Sequence, residues 1–282
     1  MDTLNQLSLI NVNASLEAES ARERPACFQG QTSTLPITEA AMPNGQTIKL
    51  LKTMVTSACE RNCFYCPFRA GRDTRRATFT PDDLAKTYMK LYYAKAVEGI
   101  FLSSGIIGGG VRMQDKIIAA AEILRQKYEY KGYLHAKIMP GADKDQIMRL
   151  MELASRVSLN LEAPNSERLS NLAPHKVFMD ELVQRLLWVN EIRTNHSPYK
   201  TWNGHWPSSA TQFVVGAVGE SDLELITTSE KMFKHARLKR VYYSRFNPQK
   251  DTPLENHPAE NPWRQHRLYQ ASYLLRDYGF SM

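Results

Sequence analysis

Six short apolar, β-branched runs alternate with stretches of helical period, and this alternation most restricts the folds open to the chain. The runs are residues 48–56, 99–104, 133–139, 156–162, 212–218 and 240–246. Most end in a small or polar residue with Gly or Pro beyond, as at Ser104-Gly105, Pro140-Gly141 and Ala163-Pro164. Thr80-Pro81-Asp82-Asp83 supplies a helix cap, a first-turn proline and early carboxylates, and Leu84, Tyr88, Leu91 and Tyr92 then share one face. Ile117, Ala121, Leu124 and Tyr128 repeat that spacing, as do Ile147, Leu150, Met151 and Ala154. Ser221-Asp222 opens a further helix, and residues 262–278 read as the last. Strands alternating with helices argue a parallel sheet. The period does not distinguish an open sheet from a barrel. In either, ligands gather at the carboxyl ends of the strands, so the loops after residues 56, 104, 139, 162, 218 and 246 should share one face.

Residues 1–45 are polar and irregular apart from a helical pattern over 2–18. Hydrophobic residues make up 43% of the 282, enough for a full core, which excludes a disordered or collagen-like chain. No apolar run approaches the ~18 residues of a membrane-spanning helix. The N-terminus lacks the basic start, apolar stretch and cleavage site of a signal peptide, so a cytoplasmic protein is expected. The net charge of +7 fits an anionic partner without specifying one.

Three of the four cysteines fall within eight residues, as Cys59-Glu-Arg-Asn-Cys63-Phe-Tyr-Cys66, directly behind the first strand run. In a reducing compartment such a cluster points to a metal or cofactor site rather than a disulfide framework. Three thiolates on one loop can hold three corners of a cubane iron–sulfur cluster and leave the fourth iron open to a small molecule. A structural zinc site is the alternative, although it wants four ligands. A redox pair of Cys63 and Cys66 would leave Cys59 unexplained.

The C-x3-C-x-aromatic-C spacing resembles the signature of the radical S-adenosylmethionine (SAM) superfamily. Stretches such as FLSSGI, GYLHAKIMPGA, SLNLEAP, LAPHK and HRLYQASYLLRDYGF are similar to the DNA modification/repair radical SAM proteins. The resemblance implies a partial (β/α)6 TIM-like barrel over 46–250, preceded by an N-terminal arm (1–45) and followed by a C-terminal helical extension (251–282). It implies a [4Fe–4S] cluster on Cys59, Cys63 and Cys66, and SAM held by Tyr65, Ser103, Ser104, Gly105, Asn160, Glu162 and Gly216. Reductive cleavage of SAM would then yield a 5′-deoxyadenosyl radical. The implied substrate is nucleic acid, DNA ahead of RNA. An electron donor such as flavodoxin or ferredoxin and a uracil-DNA-glycosylase-like protein are the implied partners. A small-molecule substrate, or a zinc-containing nucleic-acid-binding protein without catalysis, are the rival readings.

Other residues carry alternatives. Lys137 is either catalytic or ion-paired with Glu162, while Tyr243 and Arg245 share one strand face as further catalytic candidates. Cys27 is a buried thiol, a hydrogen-atom donor or an extra ligand. Arg69, Arg72, Arg75 and Arg76 form either a solvated loop or an anion-binding one, and replacing Arg72, Arg75 and Arg76 together should not disturb the cluster. The aromatic and basic residues of 196–207 suit either base stacking or an ordered loop.

Overall fold

The computed structural model describes residues 35–41 and 45–282, together with Thr3 and Gln6–Ser8. Thr3 and Gln6–Ser8 are helical; the rest of the 2–18 pattern, and Cys27, lie outside the described residues.

The strands are β1 (Ile37–Ala41), β2 (Thr47–Met54), β3 (Gly99–Ser103), β4 (Tyr133–Lys137), β5 (Arg156–Ser158), β6 (Ser208–Val215) and β7 (Arg240–Arg245). They form one sheet in sequence order. β1 is antiparallel to β2, and every later neighbour is parallel. The sheet curls into a half barrel, with no strand pairing between β1 and β7 among the described residues. Helices α1 (Pro81–Tyr93), α2 (Gly110–Glu122), α3 (Lys144–Leu153), α4 (Ser166–Leu172), α5 (Gln184–Asn195), α6 (Asp222–His235) and α7 (Pro262–Asp277) accompany the strands. The expected partial barrel of six parallel strands is therefore present.

Part of the arm read as irregular makes a seventh strand, β1. Asn44-Gly45 is a strong hairpin signal, and it lies between β1 and β2. The run expected at 212–218 instead spans Ser208–Val215. Its polar start, Ser208-Ser209, hides a segment paired on both sides, and Gly216 at φ +87° turns the chain out of the sheet.

Most of the core lies outside the curl, where Leu51, Val55, Ile100, Leu102, Leu134, Val157, Phe213 and Val241 meet the helices. Alternation along each strand sends the next residues inward. Leu50 and Phe101 with Ala40 make a small apolar floor. At the same depth or higher the lumen turns polar, with Lys52, His135, Ser158 and Gln212 all buried. His135 Nε2 and Ser158 Oγ are 2.7 Å apart.

Thr80 caps α1 as its sequence suggests, accepting from the Asp83 N–H at 3.1 Å. Ser221 and Glu224 close a reciprocal capping box on α6. Helix α7 protects the edge of β7. The Tyr243 N–H donates to Tyr269 Oη at 3.1 Å, and Gln265 Nε2 donates to the Tyr243 carbonyl at 2.6 Å. These bonds occupy backbone groups that an edge strand would otherwise offer to another chain.

Candidate functional site

The site begins where β2 ends. Thr56 and Thr78 form an antiparallel bridge, and the intervening chain loops out with the cysteines on it. The loop sits tight against the end of β3. The Gly105 N–H donates to the Thr56 carbonyl at 2.7 Å. A Cβ on Gly105 would lie 2.2 Å from the Ala58 carbonyl oxygen, so only glycine permits this approach. Two backbone N–H groups point at sulfur: Ile106 donates to Cys59 Sγ and Phe68 to Cys66 Sγ, each at 3.4 Å.

Between β5 and β6 the register slips. Ser158 faces Ala210 and Glu162 faces Phe213, four steps along one chain against three along the other. This bulge carries Glu162 at φ +65°, a conformation that a non-glycine residue holds only when its surroundings impose it. Asn160 and Glu162 both reach the cavity as a result.

That cavity, open at its mouth, is lined by Cys59, Cys63 and Cys66. Tyr65, Ser103, Ser104, Gly105, Lys137, Asn160 and Glu162 line it too, as the sequence leads one to expect. The expected Lys137–Glu162 pair is not made. Lys137 Nζ donates to Asn160 Oδ1, while Glu162 Oε1 pairs with Lys176 Nζ at 2.8 Å. Lys176 enters from the segment after α4 and meets Glu162 at the bulge. Among the described residues, three buried oxygens of the lining make no hydrogen bond: Glu162 Oε2, Ser104 Oγ and Thr53 Oγ1.

Burial dominates the electrostatics. It pushes the Cys63 and Cys66 thiols above their ordinary value, with Lys176 pulling in the opposite direction. Burial alone would lower the Lys176 ammonium; Glu162, Cys63 and Cys66 outweigh it and hold the group above the usual lysine value. The Tyr65 phenol is pushed well up by burial and by the Glu162 carboxylate beside it.

Several expected site residues lie elsewhere. Gly216 does not line the cavity; its N–H turns back to Glu220, and the Glu260 side chain occupies the space where a Cβ would stand. Tyr243 faces the helices, its hydroxyl 2.7 Å from Ser229 Oγ on α6, and Arg245 on the same strand face is also absent from the lining. None of Arg69, Arg72, Arg75 and Arg76 lines the cavity. Arg76 instead donates to the carbonyls of Ser57, Phe68, Arg69 and Arg72. Arg72 donates to the Pro67 carbonyl and lies 3.6 Å from Asp251. Arg76 therefore bonds to carbonyls on both flanks of the cysteine loop, a contact that the charge pattern alone did not foretell. Residues 196–207 precede β6 and so lie at the opposite end of the sheet from the cysteines. There Trp202 Nε1 donates to the Ala154 carbonyl at 3.2 Å and its ring stacks under Arg125, which makes an ordered loop.

Sequence reasoning missed Lys176, Lys52, Arg61 and Gln212, all of which line the cavity. Lys52 had a signal, a charge inside the apolar run IKLLKTMVT. Lys176 had only an indirect one, as the last residue of the LAPHK stretch that resembles the family, and nothing in that stretch marked its side chain.

Among the described residues, no three His, Cys, Asp or Glu side chains are placed to hold a single metal ion. Three thiols spread around a cavity suit the separate corners of a cubane better than one ion. Among the described residues, no helix is long and apolar enough to cross a membrane.

Comparison with solved structures finds methylornithine synthase (PylB), with a TM-score of 0.62 and 15% identity over 80% of this chain and 61% of that one. The [FeFe]-hydrogenase maturase HydG follows with a TM-score of 0.61 and 11% identity, over 81% of this chain and 50% of that one. A radical SAM methyltransferase from Sphaerobacter thermophilus has a TM-score of 0.56 and 15% identity, over 84% and 69%. The chain thus spans 61% and 50% of the length of the first two, and at such identities the likeness concerns the fold alone. Comparison with curated proteins found no match. The Radical SAM superfamily model matches residues 53–197, just over half of the chain, from the end of β2 through α5, and so includes the cysteine loop. The chain belongs to the radical SAM superfamily, enzymes that use a [4Fe–4S] cluster and S-adenosylmethionine.

Proposed function

We propose that the protein binds a [4Fe–4S] cluster through Cys59, Cys63 and Cys66 and cleaves SAM reductively in the cavity they line. The observation that carries this reading is the convergence on one cavity of three thiols with Glu162 Oε2 and Ser104 Oγ, buried oxygens without a hydrogen bond among the described residues. Buried acceptors of this kind are costly unless a ligand meets them. The amino group and ribose of SAM would supply such partners. When bound and reduced, the cluster supplies the electron that breaks a carbon–sulfur bond of SAM.

The chain's own residues arrange the rest. The Ile106 and Phe68 N–H groups stabilise negative charge on Cys59 and Cys66. Lys176 places a buried positive charge between Glu162 and the cysteines. Phe68, Ile138, Met139 and Pro140 make the apolar part of the wall and keep water from the reacting atoms. The electron must come from outside the chain, which gives a flavodoxin- or ferredoxin-like donor its place. Anaerobic reconstitution tests the reading. About four irons and four sulfides per chain are expected; stoichiometric zinc without visible absorption would remove it.

The substrate we infer is nucleic acid, DNA ahead of RNA, as the resemblance implies. Support comes from the basic net charge and from Arg69 and Arg75, which follow the cysteines. A base would have to be flipped or unpaired to reach the cavity, so single strands should bind better than duplex. Replacing Arg69 and Arg75 together by Ala should flatten the slope of log affinity against log salt by about 0.7–0.9 for each phosphate left without its arginine. An unchanged slope would dismiss the arginines. Absence of binding at low salt would favour a small-molecule substrate and leave no basis for a uracil-DNA-glycosylase-like partner.

A further inference from the structure

We propose that Arg76 is a positioning residue, whose single guanidinium staples the two flanks of the cysteine segment and sets both its shape and its electrostatic field. The proposal rests on reading Cys59, Cys63 and Cys66 as cluster ligands.

The geometry is specific. Nη1 of Arg76 donates to the Ser57 carbonyl at 2.9 Å and to the Phe68 carbonyl at 3.0 Å. Nη2 donates to the carbonyls of Arg69 and Arg72 at 3.0 and 3.5 Å. Ser57 lies just before Cys59, and Phe68 just after Cys66. One side chain therefore ties the chain entering the ligand segment to the chain leaving it. The base of the staple is itself fixed. Ala77, the next residue, exchanges bonds with Ser57: the Ser57 N–H donates to the Ala77 carbonyl at 2.9 Å, and the Ala77 N–H donates to Ser57 Oγ at 2.8 Å.

The loop needs such a device because it contains no helix or strand of its own between Thr56 and Thr78. Its carbonyls must find partners outside regular ladders. The bonds within it are few, among them the Ala70 N–H to the Arg61 carbonyl at 2.8 Å and the Cys66 N–H to the Cys63 carbonyl at 3.3 Å. Arginine is suited to the task since its planar fork can serve several acceptors spread around it, whereas a lysine ammonium offers its donors from one point. Phe68 shows how the staple reaches a ligand. Its carbonyl accepts from Arg76 while its N–H donates to Cys66 Sγ.

The same bonds have an electrostatic consequence. Among the described residues the hydrogen-bond partners of Arg76 are carbonyl oxygens, and no carboxylate pairs with its charge. A fixed cation beside the cysteine loop favours the more negative, reduced state of whatever the thiols hold, and so raises its reduction potential. Shape and field can be separated, because lysine keeps the charge and loses the span, whereas methionine loses both.

The test uses wild-type protein, Arg76→Lys and Arg76→Met. Amide hydrogen exchange of residues 57–72 is followed in the metal-free proteins; iron content and midpoint potential are measured after anaerobic reconstitution. Both variants should exchange the loop amides about tenfold faster or more than wild type, as expected for loss of hydrogen bonds that close a local structure. Both should retain less iron. The cluster left in Arg76→Met should have a more negative potential than wild type, and that in Arg76→Lys should stay near wild type. If Arg76→Met does not fold, Arg76→Lys carries the test through its loop exchange and its unshifted potential. Wild-type exchange in Arg76→Lys, or wild-type exchange, iron and potential in Arg76→Met, would overturn the proposal. A wild-type protein that takes up no iron defeats the cluster reading instead; the metal-free exchange measurement then still decides whether Arg76 staples the loop.

Discussion

Replacing any one of Cys59, Cys63 and Cys66 by Ala is expected to reduce SAM cleavage to background and to lower iron well below wild type. Each thiolate would hold one corner of a cubane, and among the described residues no His, Asp or Glu stands in the lining to replace it except Glu162. Glu162 is already engaged with Lys176. The fold should tolerate the change, since deleting a small sulfur from a loop removes little packing compared with the cost of emptying a core position. Circular dichroism and thermal unfolding close to wild type, with iron lost, is the expected pattern. Cys27→Ala should keep its iron, because its distance in sequence sets it apart from the C-x3-C-x2-C segment. Full iron and full cleavage in any of the three loop variants would remove that residue from the ligand set.

The second large effect concerns the buried ion pair. Lys176 and Glu162 are 2.8 Å apart, with side chains 10% and 4% exposed. Lys176→Met would strand the carboxylate in a site that excludes water, and breaking one side of such a pair costs about 3–5 kcal/mol. Burial opposes the ammonium, but Glu162 and the two cysteines outweigh it and raise its titration above the ordinary lysine value. A cation raised in this way contributes its stability through neutral pH and loses it only in alkali, above about pH 10. Adding Glu162→Gln to Lys176→Met should recover much of the loss, because two neutral groups replace one stranded charge. Urea unfolding of the four proteins in this cycle measures the coupling directly. A Lys176→Met variant as stable as wild type would show that the pair is solvated rather than buried.

Much of this site was legible in the sequence, and the reasons differ from residue to residue. The cysteine loop was legible because spacing within one short segment survives folding unchanged. Ser103, Ser104 and Gly105 were legible because a strand followed by small residues fixes its own end. Asn160 and Glu162 were correctly sent to the cavity, but through a bulge between β5 and β6 rather than by simple alternation. Which lysine meets Glu162 was not legible, since Lys176 approaches from a connecting segment whose path depends on α4 and its packing. The place of Arg76 was not legible for a related reason. Charge pattern cannot show that Arg76 is turned inward onto carbonyls. Gly216 resembled a cofactor contact, yet its positive φ serves a turn closed by Glu220 and packed against Glu260.

The most direct measurement is made on reconstituted, anaerobic wild-type protein: reduce it, add SAM, and quantify 5′-deoxyadenosine and methionine. Reductive SAM cleavage at a cluster held by the three cysteines requires both products, dependent on the reductant and absent from Cys63→Ala. A wild-type protein carrying about four irons per chain that releases neither product would contradict it.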